Sequence, residues 1–189
     1  MLYVIGRIFF VGALTVGLHA NAGLPMLGVA LPFFWCAFFP ILLIEYWVMT
    51  HSLGSLKLFR AVFLSNFFST LVGIPLTWAC LVLVQFATGA TGFIDTGSVL
   101  VDHLLAVTLQ GSWLLPDVTQ FYWKVPTAGI FLLVPFFFAS YWLEFFVTKL
   151  VLKEEVLLIK NAVWKANIAS YAFLLCMLLT YLAYCVWSH

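Results

Sequence analysis

Charge is what this chain has least of. Only 8% of its 189 residues are Asp, Glu, Lys or Arg, while 65% are hydrophobic. A soluble domain carries about 25% charge, so this chain has too little polar surface to face water. A water-soluble globular fold is excluded, and the lipid bilayer becomes the expected solvent. The net charge of +1 supplies no basic field, which excludes nucleic acid as a partner. Cys36, Cys80, Cys176 and Cys185 all fall in apolar stretches without CxxC spacing, and read as small buried hydrophobes. No HExxH, GxSxG or P-loop motif occurs. The expectation is therefore no catalytic residues, no metal and no cofactor, with an intramembrane enzyme the least favoured class.

What the chain does have is long apolar runs and aromatic rings, 19% of all residues including 20 Phe. Residues 1–22 read as a signal peptide or signal anchor. Arg7 supplies a weak positive start, Ile8 to Gly17 an apolar core, and Ala20-Asn21-Ala22 a small-x-small cleavage site. Four spans are expected after it, over about 27–49, 59–86, 126–147 and 162–186. Each is long enough to cross a core of about 30 Å. Pro40 is expected to kink the first, and Gly73 and Pro75 lie in the middle of the second. Linkers are expected at His51–Lys57, with Gly54 as breaker, and at Lys149–Lys160. Val99–Leu115 is apolar but broken by Asp102, His103 and Gln110. It reads as an interfacial or re-entrant helix capped by Ser98.

The fold class that follows is all-α: a polytopic membrane protein with four transmembrane helices as two parallel hairpin repeats. The signal segment 1–22 comes first. Repeat 1 covers 23–90, an external loop 91–125, and repeat 2 126–189. Lys57 and Arg60 gather at the first linker, and Lys149, Lys153, Lys160 and Lys165 at the second. Only Lys124 falls in the long middle connection, beside Asp95, Asp102 and Asp117. By the positive-inside rule the regions near 51–60 and 149–160 are cytoplasmic, in a multi-pass protein of the inner (plasma) membrane.

The repeat is visible in the residues. Ile44-Glu45-Tyr46-Trp47-Val48 returns as Leu143-Glu144-Phe145-Phe146-Val147. Downstream, Ala61-Val62 and Asn66-x-x-Ser69 return as Ala162-Val163 and Asn167-x-x-Ser170. Both copies enter the membrane in the same direction, so their pseudo-twofold axis runs along the membrane normal. An inverted-repeat carrier is thereby disfavoured.

Glu45 lies six residues before His51, and Asn66 six after Arg60. At 1.5 Å per residue both are about 9 Å from the linker edge. Carboxyl and amide are thus expected at matching depth, in each copy. Asn66 and Ser69 share a helix face, as do Asn167 and Ser170. The cluster could form within each hairpin, or all four helices could converge on one.

A carboxylate at membrane depth is costly and commonly marks an ion or proton path. Glu45, Glu144, Asn66, Ser69, Asn167 and Ser170 are therefore the candidate ion or proton site. The bland alternative is a helix clamp, each hydrogen bond contributing about 0.6–2 kcal/mol. Two function classes follow. One is a small transport or channel-like component using paired intramembrane Glu. The other is a non-catalytic membrane subunit or scaffold of a larger complex. The expected partners are the lipid bilayer and either further copies of the chain or a membrane complex.

Overall fold

The computed structural model describes residues 24–88, 96–109, 113–114 and 121–188; the signal segment expected over 1–22 lies outside them. The elements, in chain order, are β1 (Leu24–Pro25), α1 (Met26–Thr50), α2 (Leu58–Phe68), a π-helical segment (Ser69–Gly73) and α3 (Ile74–Thr88). There follow α4 (Val99–Thr108), β2 (Trp113–Leu114), α5 (Phe121–Leu152) and α6 (Val156–Trp187). Leu24 pairs with Leu114 and Pro25 with Trp113 in a short antiparallel bridge. Otherwise the described elements are all helical.

Among the described residues, three helices are long and apolar enough to cross a membrane: Leu58–Thr88 with 31 residues, Pro126–Leu152 with 27 and Val156–Trp187 with 32. About 20 residues suffice for a bilayer core. Their outward faces carry large apolar side chains such as Leu83, Phe86, Phe138, Trp142, Leu175 and Tyr184. So continuous an apolar surface belongs in lipid. The described part of α1 adds a shorter apolar stretch, Cys36–Thr50.

The helices close a ring. α1 packs against α2 and α6, and α5 packs against the same two. The larger core cluster includes Met49, Leu58, Ala61, Val62, Ile159, Ala162, Val163 and Ala166, near the two hairpin turns. The four Ala-Val residues of the repeated pairs are fully buried, and the small alanines let the backbones approach closely. At the opposite end Val107 of α4 packs with Ala128 and Leu132 of α5, bordered by Leu81, Trp123 and Phe136. α4 thus lies against the bundle end remote from the turns.

Several local features differ from expectation. The stretch Lys149–Lys160 is mostly helix, because Lys, Leu and Glu are good helix formers; only Lys153–Glu155 is non-helical. Lys153 closes the turn in the left-handed region, φ 53°, a position more often given to Gly. α5 starts at Phe121, ahead of the expected Pro126, and carries Pro126 and Pro135 inside it.

Pro75 leaves a clearer mark. It has no N–H and its ring crowds the carbonyl four residues back. The π turn Ser69–Gly73 widens the helix just where that carbonyl, on Leu71, sits. Ser98 occupies the cap position of α4 but its side chain makes no cap bond. Instead Asp102 accepts from Thr96 N and Oγ1, at 2.8 and 2.6 Å. The cysteines are free, and three of the four point out of the bundle rather than into it; only Cys185 is buried.

Candidate functional site

Glu45 and Glu144 are 1% and 4% exposed, and among the described residues the hydrogen bonds reaching them come from neutral side chains. Each sits on an apolar helix, and each is met by an Asn on the helix following it in sequence. Asn66 Nδ2 donates to Glu45 Oε2 at 2.6 Å. Asn167 Nδ2 donates to Glu144 Oε2, also at 2.6 Å. Carboxyl and amide thus stand opposite each other in both hairpins, as their matching distances from the turns require.

The serines do something the sequence left open. Ser69 Oγ donates to Glu144 Oε1 at 2.9 Å, and Ser170 Oγ to Glu45 Oε1 at 2.7 Å. Each Glu thus takes its Asn from its own hairpin and its Ser from the other. The four bonds fall one at each contact of the ring: α1 with α2, the π segment with α5, α5 with α6, and α6 with α1. All six candidate residues are brought into one cluster, and all six are buried.

Local backbone fixes the donors. Asn66 Nδ2 also donates to Val62 O at 3.0 Å, and Asn167 Nδ2 to Val163 O at 3.1 Å. The hydroxyls of Ser69 and Ser170 each lie 3.1 Å from the carbonyl three residues back, on Asn66 and Asn167. The repeated Val and Asn residues therefore supply backbone anchors as well as side chains. Asn167 Oδ1 is left buried without a partner, as is Thr148 Oγ1 one turn beyond Glu144. Leaving such atoms bare costs about 1–3 kcal/mol each, so the orientation of Asn167 is imposed by the two bonds its amide nitrogen makes.

A cavity of about 40 Å³ adjoins the cluster. Its polar wall adds Thr70, Ser140 and Tyr171 to the candidate residues, and its apolar wall includes Phe38, Ile74, Phe136 and Leu174. Ser140 Oγ and Tyr171 OH are 2.9 Å apart. These residues lie on the sides of Glu45, Asn66, Glu144 and Asn167 that point away from the hairpin turns. Toward the turns, the packed apolar core closes the site. Ser140 and Tyr171 had a sequence signal in their spacing: each is one helical turn from a candidate, Glu144 and Asn167 respectively. The repeat hid them, because the matching positions hold Ile41 and Thr70.

Comparison with known protein families, curated proteins and solved structures gave no match.

Proposed function

We propose that this is a small transport or channel-like component of the inner (plasma) membrane, with Glu45 and Glu144 together forming one proton or cation site. In this reading α1 is the fourth span. The two hairpins are parallel repeats, and the turns near 51–60 and 149–160 face the cytoplasm. The observation that carries the reading is the joining of both carboxyls in one buried ring beside a cavity. A group as expensive as Glu is a poor choice for a purely structural bond, and here two of them adjoin space large enough for water.

The test is flux in proteoliposomes under an imposed proton or cation gradient. Wild-type protein is expected to conduct, and Glu45→Gln and Glu144→Gln to abolish flux while folding normally. Absence of any flux from the wild type would remove the proposal.

A second reading has its own observation. The four bonds tie all four helix contacts, which is what a clamp in a non-catalytic subunit or scaffold of a larger complex would need. In that case the wild type leaves mild detergent with a stoichiometric partner, and both Gln variants retain it. Isolation as a lone monomer would count against this reading.

A further inference from the structure

Each of the two carboxyls is met by one amide N–H and one hydroxyl. The amide nitrogens of Asn66 and Asn167 also bond backbone carbonyls, which only accept. Each amide must therefore present N–H, not oxygen, to its Glu. The other carboxyl oxygens meet the hydroxyls of Ser69 and Ser170. Two of the four groups bonded to the carboxyls are amide N–H donors, which cannot ligate a metal cation, whereas a cation site needs converging oxygen lone pairs.

The proton inventory points the same way. Each Ser hydroxyl carries one proton, yet each lies within bonding distance of two oxygens, a carboxyl and a carbonyl. Two hydroxyl protons cannot fill these four contacts. Both carboxyls also line the same small cavity. A protonated carboxyl can donate to its Ser, which frees the hydroxyl proton for the carbonyl. Two anions lining one cavity, with no Lys or Arg among the described residues bonded to them, would leave charge uncompensated, at a cost of several kcal/mol.

We infer that the ion held by the Glu45–Glu144 pair is the proton and not a metal cation, that at neutral pH at least one of the two carboxyls carries it, and that it exchanges through the cavity on the side away from the hairpin turns. This rests on reading the pair as an ion site. The hydroxyls of Ser140 and Tyr171 line that route, and the cavity holds roughly one to three waters. Tyr171 of α6 is the further titratable group facing the cavity. Tyr141 of α5 is buried in the core toward the turns, and Tyr46 of α1 packs against it. Arg60 of α2, Lys149 of α5 and Lys165 of α6 have exposed side chains on the turn side of the pair.

The test is infrared spectroscopy of the reconstituted protein through a pH titration, with and without sodium, potassium, magnesium or calcium chloride. A carboxylic-acid C=O band is expected at neutral pH. It should fade as pH rises, ignore all four cations and be absent from the E45Q/E144Q double variant. Because that variant can fail to fold, the wild type is also measured with ¹³C-labelled glutamate, which must shift the band. Absence of the band at neutral pH, or its loss on adding one of the cations, overturns the inference. The band together with a silent flux assay sinks the transport proposal but upholds the proton assignment. Sodium or potassium flux without the band does the reverse.

Discussion

Gln separates two roles that Glu45 and Glu144 could have. A neutral Glu and a Gln are nearly isosteric, and Gln can accept from Asn66 while donating to Ser170. Glu45→Gln is therefore expected to leave thermal stability within about 1 kcal/mol of the wild type, as measured by detergent or urea melting. Glu45→Ala strips both partners of their acceptor and opens a cavity. It should cost about 2–5 kcal/mol. A Gln variant as unstable as the Ala variant would mean that the carboxylate itself is needed for folding.

Single-bond removals are milder. Ser69→Ala and Ser170→Ala should each cost about 0.6–2 kcal/mol, and by similar amounts, since each breaks one contact between the two hairpins. At this scale the sequence was informative about pairing depth, because residue counts from a turn convert directly into height. It could not show which Ser meets which Glu. That depends on how the helices are rotated about their axes, and Ser69 and Ser170 each face the opposite hairpin's Glu as well as their own Asn.

At the scale of elements, the two hairpins are alike in their bonding but not in their backbones. Ser69 opens a π turn followed by Pro75, whereas Ser170 lies in an unbroken α-helix from Val156 to Trp187. The positions matching Gly73 and Pro75 hold Leu174 and Cys176. Pro75→Ala restores an N–H and removes the ring's clash, so the segment is expected to relax toward α-helix. Ser69 would then rotate away from Glu144. The expected result is a loss of about 0.6–2 kcal/mol that is not additive with Ser69→Ala in a double-mutant cycle. Additive losses would mean that the π turn does not position Ser69.

Close approach of α5 and α6 gives a further check. A Cβ on Gly129 would come within 3.3 Å of Leu178 Cδ2. Gly129→Leu should therefore destabilise by about 1–3 kcal/mol through overpacking. Element ends were the least legible feature. Lys149, Lys153, Glu154, Glu155 and Lys160 read as a charged linker, yet most of that stretch is helical, since charge and helix propensity coincide in Lys and Glu. Charge therefore did not mark the edge of the helix.

For the molecule as a whole, polarity is arranged along one axis. The exposed Lys and Arg side chains of α2, α5 and α6 lie toward the hairpin turns, the apolar core sits just inside them, and the cluster and cavity lie beyond it. This order was partly legible from the spacing of charges and of the repeated Glu-Asn-Ser set. The cavity was not, since its walls break the repeat at Ser140 and Tyr171. In a cysteine-free background, Glu154→Cys should resist an impermeant maleimide applied outside cells, and Thr96→Cys should react. The reverse pattern would invert the proposed orientation.

The ring makes a sharper demand than orientation does. If Glu45 and Glu144 form one site, neither works without the other. The decisive measurement is proton flux in proteoliposomes for the wild type, each single Gln variant and the double variant, at matched protein content and confirmed folding. The account predicts flux from the wild type and equal, complete loss in all three variants. Flux halved in each single variant would contradict it by revealing two independent sites, and a wild type that moves no protons would contradict it outright.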